Sequence, residues 1–413
     1  MVQEQTVRES SREIPVQSEY DVVVVGGGMA GVAAAIAAAK HAARVCLIER
    51  YCALGGLATL GNVAVWLPLC DGRGHQVISG LAEELLKLSV ADLKTESPSA
   101  WFLRPPVCWQ AGGDLEERIK HRYKAAFNPA SMILGLEKLV VESGISLLYD
   151  TRFCAVHREN NRLSHVVVEN KSGRVALAGK VFIDATGDAD VCFAAGEKTE
   201  SLDSNVLAGW FYTMSSGALT LHKLTHVYNT DGTRDHAQGP FFRGDNGSHV
   251  SAHIVESRTL VRERLAELRS TNPSQEFQPI MPATLAAHRM TRRLAADICL
   301  TEQDAHHWFE DAIGLSGDWH HPGPVYAVPL RALQGVSNPN LLAAGRCISA
   351  GGYAWENLRA IAPCAVTGEA AGTAAALAVR ETSGNIATLN VPLLQKELKR
   401  QGVLIEPGLV EAA

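Results

Sequence analysis

"YDVVVVGGGMAGVAAAIAAA", residues 20–39, is the stretch on which the reading of the chain turns. Residues 22–25 are all valine, the pattern of a strand buried on both faces. Gly26, Gly27 and Gly28 then permit a tight turn. Residues 29–42 read as a helix whose alanines allow close packing, and "RVCLIER", residues 44–50, as the next strand. Strand, helix and strand in this order imply a parallel sheet.

Gly26, Gly28 and Gly31 give the spacing G-x-G-x-x-G. The first allows the turn, the second lets a pyrophosphate approach the backbone, and the third lets helix and strand pack closely. Met29 and Ala30 open the helix, where free N–H groups and the positive dipole end favour a phosphate. Glu49, 18 positions after Gly31 and followed by Arg50, stands where a carboxylate takes ribose hydroxyls. Taken alone, the unit suits NAD, FAD or a plain glycine turn without ligand.

Three later stretches narrow the choice. In "ERYCALGGLAT" (49–59), Gly55-Gly56 would let backbone pass close to a cofactor extending beyond the first helix, as a flavin does. Ala58 and Thr59 follow, with Thr59 a donor towards the flavin ring. The competing reading is an ordinary loop. "VFIDATGDADV" (181–191) carries a buried strand into a sharp turn at Ala185, Thr186 and Gly187, at the sheet edge where ligands gather. Asp188 and Asp190 suit cap and turn roles, and no metal is expected because no His or Cys clusters with them. Finally, residues 340–378 give a strand, Gly345-Arg346, a glycine-rich crossing and a helix rich in small residues. The start of that helix is placed to stabilise negative charge on a reduced flavin.

These four segments resemble the FAD-dependent oxidoreductases with the glutathione-reductase-type flavin fold, in the branch related to fumarate reductase flavoproteins. The resemblance covers roughly 20–200 and 285–380 and includes "VVENKSGR", "FIDATGDADV", "LTEQDA" and "LLAAGRCIS". It implies FAD as cofactor and carries Gly26, Gly28, Glu49, Gly55, Gly56, Thr59, Thr186, Gly187 and Arg346 onto FAD-binding positions. Two departures stand out. Flavin hydroxylases usually have Gly-Asp where this chain has Gly345-Arg346, which weighs against monooxygenation. Many relatives have Thr-His after the "GRCISA" segment, where this chain has Gly351-Gly352-Tyr353.

The expected fold is α/β: a Rossmann-like FAD-binding domain, discontinuous in sequence, with an inserted α+β substrate domain. The boundaries read as a flexible arm at 1–18, FAD-binding segments at 19–75, 125–200 and 338–385, a cap at 76–124, a substrate domain at 201–337 and a tail at 386–413. Helices are expected over 78–94, 128–143, 257–269 and about 364–380. A β-meander is expected from 145 to 184, and a loop or cap over 95–113. A net charge of −6 without a long basic block argues against nucleic acid. The alanine-rich run near 363–380 reads as a buried helix rather than a membrane span. The first 20 residues lack the apolar core of a secretory signal. Nine dispersed cysteines with no C-x-x-C pair fit small core residues in a reducing cytoplasm.

Chemistry is expected where the flavin ring meets the second domain. Arg289 and Arg359 can clamp a carboxylate or polarise a carbonyl, and His320, His321 or Tyr326 can move protons. Each has a plainer reading: polar loop for the histidines, salt bridge or flavin contact for the arginines, core for Trp355. The expected activity is hydride transfer between the flavin and a small organic substrate, changing a C–C, C–O or C–N bond, with an unspecified electron donor or acceptor. The alternatives are an oxygen-using monooxygenase or oxidase, a non-catalytic FAD-binding electron carrier and, more weakly, an NAD dehydrogenase. A homodimer is the default assembly.

Overall fold

The computed structural model describes residue 7 and residues 10–93, 107–122 and 124–411. At its centre the Val16–Val25 strand is parallel to Val45–Ile48 on one side and to Gly173–Asp184 on the other. Val22, Val23 and Val24 are fully buried, as an all-valine strand covered on both faces requires. Ser146–Leu148 extends the sheet beyond Val45–Ile48, also in parallel. The Gly173–Asp184 strand has two neighbours on its far side. Its first half pairs antiparallel with Arg162–Asn170, which pairs in turn with Arg152–Glu159. Its last three residues pair in parallel with Leu341–Ala343, about 160 residues later in the chain.

Two helices cover one face of this sheet. Met29–Lys40 crosses Ile361–Glu381 at van der Waals distance, because Gly368 and Gly372 stand at the crossing. A methyl at Gly368 would lie 2.2 Å from the Ala30 carbonyl oxygen, and one at Gly372 2.0 Å from that of Ala34. Ile361–Glu381 is long and apolar enough to cross a membrane, yet 94% of its apolar window is buried within the protein. The other face packs Val23, Val25, Cys46 and Phe182 against Val166 and Val168.

The second unit is a three-stranded antiparallel sheet, Ala218–Thr225, Ala208–Ser215 and Gln278–Pro282, with the helix Gly247–Thr271 on one face. Phe211, Val261 and Leu265 form its small core. The helix is capped by Asn246, whose side chain accepts from the His249 N–H. It begins ten residues before the amphipathic pattern does. The ribbon Ala312–Gly317 and Val325–Pro329, within the span expected as substrate domain, packs on Ile361–Glu381 instead. A methyl at Gly314 would lie 2.3 Å from Val366.

Parts of the spans expected as arm and tail belong to regular elements. Pairing of the first strand starts at Val16, opposite Ala176. Near the other end, Val391–Arg400 and Pro407–Glu411 bury Leu394, Leu398 and Val410. The expected helix at 128–143 is Pro129–Glu142, with the Asn128 side chain accepting from Ala130 N–H. The helix expected at 78–94 spans Leu81–Val90. Residues 94–106 lie outside the described residues, so the loop expected over 95–113 is seen only from the short Val107–Trp109 turn onwards.

The start of Leu81–Val90 has no side-chain cap of its own; its N-cap is Gly80. Its Leu81 N–H donates instead to Glu369 Oε2, 2.8 Å away on the Ile361–Glu381 helix. Glu369 is 1% exposed, and its Oε1 has no hydrogen-bond partner among the described residues. Burial pushes this carboxyl up to about 7.

Candidate active site

The parallel strands end at one edge, and a cavity of about 620 Å³ opens there. This volume lies within the usual range of ligand pockets. The glycine turn forms one wall. Gly26 has φ +107°, and a methyl on it would sit 2.3 Å from the Ala185 carbonyl oxygen. Gly28, Met29 and Ala30 line the cavity. A methyl at Gly28 would meet no protein atom within 4 Å, so this backbone faces open space. No side chain caps the helix that starts there, which leaves its first N–H groups directed at the cavity. Gly31 does not line the cavity. Its place is against the Gly26 carbonyl oxygen, 1.8 Å from where a methyl would be.

Glu49 and Arg50 line the same space at the end of the second strand. The Glu49 carboxylate accepts from Gly27 N–H at 2.7 Å and Tyr51 N–H at 2.9 Å. Burial nonetheless pushes its pKa up, against the pull of those two N–H groups. Gly55 and Gly56 pack directly on the turn: Gly55 N–H donates to Gly27 O, and a methyl at Gly56 would be 3.2 Å from Gly28 Cα. Ala58 lines the cavity, but Thr59 does not. Thr59 is fully buried and its hydroxyl donates to Leu54 O at 2.6 Å, holding the 55–59 turn from behind. The donor role towards the flavin expected of Thr59 is therefore corrected to a structural one.

Ala185, Thr186 and Gly187 form the next wall. Asp184 accepts from both the N–H and the hydroxyl of Thr186, which fixes the turn. Gly345 and Arg346 meet it from the last strand. Arg346 donates to Gly187 O at 2.7 Å, to His288 O at 2.9 Å and to Asp188 Oδ1 at 2.7 Å. Asp188 and Asp190 thus serve arginines, Asp190 holding Arg292 at 2.5 Å. Burial and the neighbouring Asp188 and Asp184 push Asp190 up to about 6.

At the far end Arg359 lines the cavity beside Ile361 and Cys364, at the uncapped start of the Ile361–Glu381 helix. Both its Nε and Nη2 donate to Glu356, which is 0% exposed. Tyr228 donates its hydroxyl to Glu356 at 2.9 Å, and His320 Nε2 lies 3.7 Å away. Burial opposes the Glu356 charge, but Arg359, His320 and Arg289 outweigh it and hold the carboxyl at about 2. Arg289 stands behind this wall rather than on it, its guanidinium 4.2 Å from the Tyr228 ring. Its Nη1 is buried without a hydrogen-bond partner among the described residues. Burial and the Arg359 charge pull its pKa down.

The other two expected proton carriers lie elsewhere. His321 is mostly exposed and contacts Tyr353 Oη at 2.9 Å. Tyr326 is 2% exposed within the Val325–Pro329 strand, and burial pushes its phenol up to about 12. Neither reaches the cavity. Trp355 is core, donating to Arg346 O. All nine cysteines are free; four are buried and Cys52 is exposed.

One wall was missed in the sequence. Asn246, Gly247, Val250 and Ile254, at the start of the Gly247–Thr271 helix, face the cavity, as does His288. Burial and the adjacent His253 pull His288 down to about 3, so it is a neutral ring. Thr151 to Phe153 complete the end near Glu49. The Asn-Gly cap at 246–247 was the available signal.

The cavity therefore runs from a carboxylate suited to ribose, past an anion-binding helix start, to a second helix start beside an arginine. The bare backbone at Gly28 and the glycine contact between the two turns leave room for a pyrophosphate and the chain beyond it, so these residues fit a flavin dinucleotide. The fold and site define a flavoprotein with a Rossmann-like α/β cofactor domain. The sequence profile of the FAD dependent oxidoreductase family matches residues 21–206 and 250–398, and the chain belongs to that family. Its cofactor is FAD, and it is an oxidoreductase.

Solved structures with similar folds include a geranylgeranyl bacteriochlorophyll reductase-like protein from Thermoplasma acidophilum, at 13% identity and TM-score 0.45, covering 93% of this chain and 83% of that one. CabE, an aromatic hydroxylase from angucycline biosynthesis, is 14% identical with TM-score 0.45, covering 93% and 68%. A flavocytochrome c3 fumarate reductase is 16% identical with TM-score 0.42, covering 87% and 78%. No curated protein matches in sequence.

Proposed function

We propose that this flavoenzyme transfers hydride between FAD and a carbon of a small organic anion, with Arg359 holding the substrate's negative charge. The observation that carries this reading is a charge imbalance at the far end of the cavity. Glu356 is bonded to Arg359, Arg289 only feels its charge, and one nitrogen of Arg289 has no partner among the described residues. A surplus buried cation is unfavourable until an anion arrives, so a carboxylate entering here gains from both arginines. FAD, when bound, supplies the hydride acceptor or donor. The chain's own part is to orient the substrate on Arg359, to hold Arg359 in place through Glu356, and to wall the site with the 246–254 helix start. Dehydrogenation and reduction are both compatible with this arrangement. A cytoplasmic setting fits the nine free cysteines.

The test is anaerobic reduction of the bound flavin, followed by loss of its visible absorption, with matched organic acids and their neutral amides or esters. The acids should bleach the flavin at least tenfold more efficiently, and Arg359→Gln should erase the preference while flavin remains bound. Equal reaction with neutral and anionic compounds would overturn the proposal. Aerobic assays for a hydroxylated product distinguish the oxygen-using alternative.

A further inference from the structure

Away from the cavity-lining residues at its start, the strand pair Arg152–Glu159 and Arg162–Asn170 carries a second cluster of chemistry-bearing side chains. His157 and His165 are direct cross-strand partners. Glu159 lies two residues beyond His157. One ligand atom from each of these three residues falls within 4.8 Å of the others. The two rings meet edge to face with centroids 5.9 Å apart. The Ser164 hydroxyl lies between them, 3.0 Å from His157 Nδ1 and 2.9 Å from His165 Nδ1. Glu159 Oε1 is 3.5 Å from His157 Nδ1.

The geometry points to a surface site for a divalent transition-metal ion, with Zn²⁺ as its chemical type, held by His157, His165 and Glu159. Two imidazoles and one carboxylate are a borderline donor set that favours Zn²⁺ over the oxygen-seeking Mg²⁺ and Ca²⁺. Three protein ligands leave a fourth position for water. The backbone positions are fixed by strand pairing, which lowers the ordering needed on binding. The ligand tips are farther apart than metal bonding requires. His157 and Glu159 are about 60% exposed, so their side chains can close on an ion by rotation alone. The nearest competing cation on the cross-strand position, Arg162, is engaged elsewhere, donating to Ser383 O at 2.8 Å. The other charged neighbour on the bulged strand, Arg158, reaches towards Ser337 O.

The other end of the same strand, Arg152 and Phe153, lines the flavin cavity. The site is thus joined to the cofactor end of the sheet but takes no part in the chemistry proposed above, and it does not rest on that reading. The test uses chelator-treated holoprotein titrated with ZnCl₂ by calorimetry, with MgCl₂ as the second titrant. One Zn²⁺ per chain should bind, Mg²⁺ should not compete, and His157→Ala or His165→Ala should weaken Zn²⁺ binding at least tenfold with the flavin spectrum unchanged. Both are exposed or half-exposed positions, so retention of the flavin reports that the variants fold. Absence of saturable uptake at 100-fold excess over protein would overturn the proposal. So would wild-type affinity in the double variant, which would place the ion elsewhere.

Discussion

Glu369→Gln tests the physics of the buried carboxylate between two helices. Glu369 accepts one N–H, from Leu81, and its second oxygen has no partner among the described residues. Its pKa is pushed from the ordinary 4.5 to about 7. At 1.36 kcal/mol per unit, that rise corresponds to roughly 3 kcal/mol favouring the protonated form in the folded protein. The unfolded chain ionises first as pH rises, so between pH 4.5 and 7 the folded protein binds more protons and stability falls. The full penalty is present above pH 7 and absent below 4.5. Glutamine keeps an oxygen for the Leu81 N–H and cannot ionise. Its extra N–H groups bring a cost of their own, about 1–3 kcal/mol, that does not change with pH. The informative quantity is therefore the difference between variant and wild type at pH 9 minus that at pH 5. It should favour the variant by roughly 3 kcal/mol, read from urea midpoints with saturating FAD. Parallel pH profiles for the two proteins would refute the reasoning.

Other predictions concern the cofactor cavity. Glu49→Ala should weaken FAD retention roughly ten- to hundredfold, the loss of a charged hydrogen bond worth about 1.5–3 kcal/mol, measured by flavin release on dilution; unchanged occupancy would make Glu49 only a strand end. Gly31→Ala forces a methyl to 1.8 Å from the Gly26 carbonyl oxygen, so the helix must retreat from the turn. It should cost about 1–3 kcal/mol and lower flavin content together, and a stable, fully yellow variant would contradict that close approach. Arg346→Ala removes three hydrogen bonds that tie the Gly187 turn to the last strand and to His288. It should loosen flavin binding while Arg346→Lys restores only part, since a single ammonium cannot reproduce the fork. Thr59→Val should spare flavin affinity and lower thermal stability, because the hydroxyl serves Leu54 O; a selective loss of flavin would return Thr59 to the cofactor.

The dinucleotide half of the fold was legible because backbone geometry demands specific residues there. Only glycine fits at Gly26 and Gly31, and their spacing is visible in one line of sequence. The two glycine turns at 26–28 and 55–56 could be paired from sequence because a flavin needs both. The 247–271 helix was read ten residues short for an equally physical reason. Its buried positions are His253, Ser257, Val261, Leu265 and Leu268, so the first two of the five are polar and hydrophobic periodicity begins only after them. His321 and Tyr326 were attractive as residue types. Their burial and direction depend on a strand pair packed against the last long helix, a contact that no local pattern announces. The Arg359–Glu356 pair was half visible: the arginine drew attention, while Glu356 became notable only once its complete burial was known.

The interleaved sheet also sets an order of events during synthesis. The Val16–Val25 strand and the Met29–Lys40 helix leave the ribosome before the elements that cover them. Their long partners, Gly173–Asp184 and Ile361–Glu381, emerge far later. The alanine face that meets Gly368 and Gly372 lacks that cover until the Ile361–Glu381 segment has been made. Until then the nascent chain must keep an apolar helix from straying, so the cofactor turn is translated long before it becomes competent. Truncation before Gly368 should leave that turn without its cover, however complete its own sequence.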